Sequence, residues 1–398
     1  MATTVAASAP DLSASRSPTR ARSASWVLYA VLASSIAIVV GLIWDISWHR
    51  TVGRDTFWTL PHVLEQLAAI VTGFSCGWLV LHTTWAGSPE ARAASVRFWG
   101  FRGPFGAWVC IWGTLMMITS APFDNWWHGA YGLDVKIVSP PHIVLLIGMA
   151  GIQLGAMLLA LTAQNLAPDE HAPRAGLLYA TAAAVLVTMG GTAIMEYAGF
   201  PNDSHNALFY QVTAGVFPIL LLGTARAGRL RWPATTTALL YTGIVLVMSW
   251  ILQLFPATAK LAPIYNPVTH MVPPPFPLLL VIPAAGLDLL LRWWGPGRDW
   301  RLALMAGPLF VVLMLVHWWW AEFLISPHAR NWFFGADQWD YSLRLGDWRY
   351  KYWNLDKDAA GVWSPRLFFK GLLIATGIAF ASSRLGLWWG NWMQRVRR

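Results

Sequence analysis

The sequence predicts an all-α, polytopic integral membrane protein of about ten transmembrane helices with repeated helix hairpins. Three observations carry that prediction. Apolar residues make up 56% of the 398 residues and charged residues only 12%, with a mean hydropathy of +0.46, outside the range of ordinary soluble domains. Apolar runs of ~20 residues, the length that crosses ~30 Å of hydrocarbon, recur along the chain. Arginines concentrate in alternate connections, as expected when basic loops stay on one side of the bilayer.

The first 25 residues are rich in Ala, Ser and Thr and carry Arg16, Arg20 and Arg22. They read as a disordered cytoplasmic tail before a run too long for a cleavable signal peptide. Helices are predicted near 26–47, 60–83, 104–122, 139–163, 175–198, 205–224, 234–255, 271–291, 302–325 and 367–386. Segment 26–163 carries the repeated hairpins and 164–325 the further helices. Segment 326–366 is an outer-face loop or cap, rich in aromatic and charged residues, and 367–398 is the last helix with a basic tail.

The basic connections hold Arg92, Arg97 and Arg102, then Arg174, then Arg226, Arg229 and Arg231, then Arg292, Arg298 and Arg301, then Arg395, Arg397 and Arg398. Both termini are therefore expected in the cytoplasm, with the protein multi-pass in the cell's inner (cytoplasmic) membrane. The net charge of +9 lies mostly in these arginines and suits anionic lipid headgroups, not a nucleic-acid groove. Cys76 and Cys110 stand alone within predicted helices and read as packing residues. The 27 tryptophans read chiefly as an interfacial aromatic belt.

On this topology eight histidines, His49, His62, His128, His142, His205, His270, His317 and His328, fall toward the outer face. Ionisable groups near hydrocarbon are costly unless paired, ligating or lining a cavity, so chemistry is expected there. In DISWHRTVGRDTFWTLPH, Asp45 and His49 are spaced i, i+4 and share one helix face. His62 follows a proline at the start of the next helix. FDNWWHGAYGLDVKIVSPPH repeats the pattern 79 positions later: Asp124, Trp127, His128, Gly132 and Asp134 correspond to Asp45, Trp48, His49, Gly53 and Asp55, and His142 to His62 with one residue inserted. An internal repeat accounts for the match.

Two imidazoles and a carboxylate suit a first-row transition metal with open positions, copper first among divalent ions. Asp55, Asp134 and Glu65 are expected to orient the imidazoles from behind. Arg54 and Asp55 could alternatively pair with loop charges. Glu196, Asp203 and His205 form a third polar cluster, read first as a helix-end network and second as a ligand set. His317, Glu322 and His328 surround the outer end of the ninth predicted helix.

DISWHRTVGRDTFWTLPHVLE resembles the C subunit of the copper membrane monooxygenases, the particulate methane and ammonia monooxygenases. That subunit carries an Asp-x3-His-x12-His set with Ser-Trp-His, Arg-Asp-Thr and a following Glu. Asp45, Ser47, Trp48, His49, Arg54, Asp55, Thr56, His62 and Glu65 match it. An Asn-x3-His-x13-His set follows in the family. Asp124, His128 and His142 match its spacing, with Asp124 standing where the family has asparagine.

The resemblance, which spans about 44–145, implies one copper at Asp45, His49 and His62 and another at His128 and His142; the first set is taken as the catalytic site, with the second as the alternative. It implies further that dioxygen oxidises a small apolar substrate arriving through the lipid, with electrons from quinol or another donor and with partner subunits. A non-enzymatic copper acceptor, carrier or permease is the alternative. A haem-bearing quinol oxidoreductase is a third reading, disfavoured because the histidines gather toward one face.

Overall fold

The computed structural model describes residues 18–132, 139–197, 205–295, 297–324, 326–335, 339–344 and 355–397. Helices α1 (Pro18–Thr51) and α2 (Leu60–Trp85) form a first hairpin. A short α3 (Pro89–Ala93) and the strands β1 (Val96–Phe98) and β2 (Phe101–Gly103) lead to a second, α4 (Phe105–Tyr131) and α5 (Pro140–Leu166). Then come α6 (Ala172–Tyr197), α7 (Ala207–Ala227), α8 (Pro233–Leu252), α9 (Val281–Trp294), α10 (Asp299–Leu315), α11 (His317–Leu324) and α12 (Pro365–Met393). The two strands pair antiparallel, Val96 with Gly103. Their two-residue turn places Trp99 at φ +47° and Gly100 at φ +88°, as a type I′ hairpin requires.

Among the described residues, eight helices are long and apolar enough to cross a membrane: α1, α2, α4, α5, α6, α7, α8 and α12. The expected count of ten is not confirmed, and the predicted helix bounds differ at two places. Residues 271–280 are not helical, and α9 has only 14 residues. Pro273, Pro274, Pro275 and Pro277 lack N–H donors and push their predecessors out of helical geometry, so a helix cannot start before them. The predicted helix over 302–325 divides into α10, 17 residues long, and α11. At the other end of the chain, α1 begins at Pro18, inside the segment read as a tail.

The extended segment is tolerable because it lies inside protein and its polar groups are used. The Val272 N–H donates to Thr51 Oγ1 at 2.7 Å and the Leu278 N–H to Tyr241 Oη at 3.2 Å. Val272, Leu278 and Leu280 are buried.

Apolar side chains gain little by leaving lipid, so helices in a bilayer associate through close packing and hydrogen bonds. Small residues provide the packing. A Cβ built on Gly113 would lie 2.7 Å from Gly148 O and 2.7 Å from Ile152 N, and one on Gly148 would lie 2.8 Å from Met117 N. The α4 and α5 backbones therefore touch. α7 and α12 meet the same way at Gly223, Gly386 and Gly390. Polar ties join the first hairpin to the second: Ser35 on α1 donates to Gln153 on α5, the Gln153 amide returns a bond to Ser35 O at 3.1 Å, and Thr114 on α4 donates to Ala69 O of α2 at 3.1 Å. Both hairpin ends are thereby held at one end of the bundle.

Replacing Gly113 by alanine should lower the apparent Tm in detergent, by overpacking that costs roughly 1–3 kcal/mol. Gly77→Ala, at a position with nothing within 4 Å of the new methyl, should not. Equal melting of the two variants would refute backbone contact between α4 and α5.

Candidate functional site

α1 ends two residues beyond His49. The Val52 and Gly53 N–H groups both donate to Trp48 O, at 2.7 and 3.2 Å, and Gly53 takes φ +82°, a left-handed turn that glycine adopts without cost. The loop then folds back. Thr59, extended, precedes α2 with Pro61 in its first turn, and the Thr56 N–H donates to Thr59 Oγ1 at 2.8 Å. His62 is thus the third residue of α2 and faces α1.

This brings four side chains together. His62 Nε2 lies 3.0 Å from Asp45 Oδ1 and 3.3 Å from Asp55 Oδ2. His49 Nε2 lies 3.7 Å from Asp45 Oδ2 and 3.5 Å from Asp55 Oδ2. One ligand atom each from Asp45, His49 and Asp55 falls within 4.8 Å of the others. Asp55 therefore faces the same imidazole nitrogens as Asp45, instead of orienting the rings from behind. The rear partner of His62 is a backbone carbonyl, Thr56 O, 3.0 Å from Nδ1.

That pairing decides the chemistry. A carbonyl can only accept, so Nδ1 carries the proton, and in the neutral ring Nε2 is left with a lone pair. Carboxylate oxygens and an imidazole lone pair then face one another with no donor between them. Such a set needs a cation, either a second ring proton or a metal ion. Asp45 Oδ1 is itself buried, and the His62 ring nitrogen 3.0 Å away is the atom that faces it.

The second hairpin repeats the arrangement. Asp124 and His128 lie near the end of α4, and His142 is the third residue of α5, behind two prolines and the Ser139 cap. His128 Nε2 is 3.4 Å from Asp124 Oδ2, and His142 Nε2 is 3.5 Å from Asp124 Oδ1. Gly132, the counterpart of Gly53, takes φ +89°, and its carbonyl lies 3.2 Å from His128 Nδ1. Asp124 Oδ1, the counterpart of Asp45 Oδ1, is likewise buried. Asp134 lies outside the described residues.

The first cluster is roofed and the second, among the described residues, is not. The Lys260 N–H donates to Val52 O at 3.0 Å and the Tyr341 N–H to Arg50 O at 3.1 Å. Ser47 Oγ donates to Val272 O at 2.5 Å. The Tyr341 ring occupies the space that a side chain on Gly53 would need. His49 nevertheless keeps 49% of its side chain exposed, so the cluster opens to one side.

The remaining candidates are placed as follows. Arg54 is exposed and contributes through its backbone, its carbonyl accepting from Trp48 Nε1 at 2.8 Å. Glu65 is buried at 3% exposure, its Oε1 without a hydrogen bond, and its Cγ fills the space over Gly41. Asp203 lies outside the described residues, as does the side chain of Glu196. His205 is buried, and desolvation lowers its pKa to about 4, which keeps it neutral at pH 7. His317 is buried while Glu322 and His328 are exposed. Cys76 and Cys110 are buried free thiols, as packing residues should be.

Sequence reasoning missed Asp55 as a direct partner, the Thr56 and Gly132 carbonyls, and Tyr341. The one available signal was the repeated glycine four residues after each helix-end histidine. Comparison with protein-family models, with curated proteins and with solved structures finds no match.

Gly53→Ala should destabilise the protein more than Gly132→Ala, since both strain a positive φ but only the first meets Tyr341; nothing lies within 4 Å of a methyl on Gly132. Adding Tyr341→Ala should recover part of the Gly53→Ala loss, on the order of 1 kcal/mol in a double-mutant cycle. A strictly additive cycle would show that the roof does not seat on Gly53.

Proposed function

We propose that this chain is a membrane copper protein of the copper-monooxygenase type, oxidising a small apolar substrate with dioxygen at Asp45, His49 and His62. The observation that carries the reading is the convergence of carboxylates and imidazoles at the end of each hairpin, with the corresponding Asp oxygen buried against a histidine Nε2 in both. Nitrogen and oxygen donors with an open side suit copper, and the resemblance of residues 44–145 points to the same metal. Copper, when bound, supplies the redox chemistry.

The chain's own residues bind and orient. Asp45 and Asp55 offer negative charge from two directions, His49 and His62 offer Nε2, and Thr56 O holds the His62 ring in the matching tautomer. Asp124, His128 and His142 form the second site. Among the described residues, Ile43, Ile46 and Arg50 of α1 border a cavity of only 30 Å³, room for about two waters. On this reading substrate, dioxygen, the quinol or other donor and partner subunits reach the first site from its open side, where His49 is half exposed. The basic helix ends lie in the cytoplasm and the clusters on the outer face of the inner membrane.

A second reading, a copper acceptor or carrier, is favoured by one feature. Asp124, His128 and His142 are each about a third exposed, at 33%, 29% and 33%, an accessibility that suits exchange.

Protein in nanodiscs, titrated with copper and followed by metal analysis and electron paramagnetic resonance, should bind two ions with nitrogen hyperfine structure. His62→Ala should remove one ion and His128→Ala the other, and Asp55→Asn should weaken the first site by roughly 10- to 100-fold. Copper-dependent dioxygen consumption would favour the enzyme, and vectorial copper uptake without it the carrier. Copper binding that is identical in wild type and all three variants would sink the assignment.

A further inference from the structure

At the end of the bundle away from the clusters, α5, α7 and α12 finish and α8 begins. A cavity of 300 Å³ opens there, bordered by Arg226, Arg231, Arg292, Asp288, Leu230 and Gln394. Its charged groups have distinct tasks. Arg226 is structural: it pairs with Asp299 at 3.2 Å and donates Nε–H to Asn391 Oδ1 at 2.9 Å. Asp288, 2% exposed, caps α8, its two oxygens accepting from the Ala234 N–H at 3.1 Å and from the Thr235 N–H and hydroxyl at 2.8 Å. The helix start is thus already satisfied, and the carboxylate's charge also acts on Arg292 beside it.

Two guanidiniums are left facing the cavity. Arg292 lies flat over the Trp232 ring, 3.7 Å from its centroid, and donates one N–H to Arg231 O, so it is fixed in position with donors to spare. The Arg231 guanidinium has no hydrogen-bond or ion-pair partner among the described residues. Beside them Leu289 and Trp293 on α9 are 56% and 84% exposed, an apolar flank continuous with the bundle surface. A volume of this size is at the small end of ligand pockets and suits a headgroup. A stacked, held guanidinium such as that of Arg292, with a second arginine beside it, recognises phosphate, and basic pockets between helices take anionic headgroups.

We propose that this cavity binds the phosphate of an anionic phosphoester, with Arg231 and Arg292 as its direct partners. The ester enters either from the bilayer as a phospholipid headgroup or from water as a free phosphate ester.

The test uses the full chain in a neutral detergent, its thermal unfolding followed during titration with phosphatidylglycerol, phosphatidylcholine or glycerol phosphate. Wild type should show a saturable rise in Tm with an anionic ligand and none with phosphatidylcholine. Apparent affinity should fall roughly five- to tenfold in Arg231→Ala and in Arg292→Gln. Arg97→Ala, an exposed arginine on the β-hairpin at the same end, should bind as wild type does. Arg231 is exposed and bonds to nothing described through its side chain, so that variant stays informative even if Arg292→Gln fails to fold. Stabilisation by phosphatidylglycerol alone assigns the site to lipid, and equal stabilisation by glycerol phosphate assigns it to the phosphate ester in general. Absence of a saturable shift with both anionic ligands, an equal effect of phosphatidylcholine, or unchanged affinity in Arg231→Ala would overturn the proposal.

Discussion

Carboxylates and imidazole lone pairs that face one another at the edge of hydrocarbon repel unless a cation sits between them. The structure is organised around that constraint at the ends of two helix hairpins. Desolvating a carboxylate costs several kcal/mol when it is left unpaired, and placing one near a bilayer is tolerated chiefly where it pairs, ligates or lines a cavity. Asp45 and Asp124 meet this demand in the same way. Each sits near the end of a helix, with one histidine a turn further along and another delivered by the next helix. Backbone carbonyls from the connecting loops turn Nε2 of His62 and His128 toward the carboxylates.

Keeping those groups within 3.0–3.7 Å of one another demands that the helices neither slide nor rotate, and the packing below the clusters provides this. The α4 and α5 backbones touch through glycine, so neither helix can turn without a clash. The Ser35–Gln153 and Thr114–Ala69 bonds fix one hairpin against the other inside a medium that offers no competing water. Above the first cluster, Tyr341 and the extended segment around Val272 bond to the last turn of α1, which ties the cap to the residues that carry Asp45 and His49. The second cluster has no such roof among the described residues.

The parts of this arrangement that were legible in the sequence are the periodic and local ones. Helical spacing alone puts Asp45 with His49 and Asp124 with His128 on one face, and a helix-starting proline puts His62 and His142 opposite them. The long apolar runs become helices almost where their hydropathy places them. What was illegible depends on the loops and on tertiary contacts. Nothing periodic says that the loop folds Asp55 inward onto the same nitrogens as Asp45, or that Thr56 presents a carbonyl to Nδ1. The apolar stretch at 271–280 has the hydropathy of a span, but its prolines remove the donors a helix needs. Tyr341 lies nearly 300 residues from Gly53, and only the fold brings them together.

The most direct test of the central claim is anomalous X-ray scattering from crystals of copper-loaded protein, with data collected on both sides of the copper absorption edge. The account predicts two peaks per chain, one between Asp45, Asp55, His49 and His62 and one between Asp124, His128 and His142. Copper that scatters from elsewhere in the chain, or ordered clusters with no anomalous density between their imidazoles and carboxylates, would contradict it and leave a proton as the cation that holds each set together.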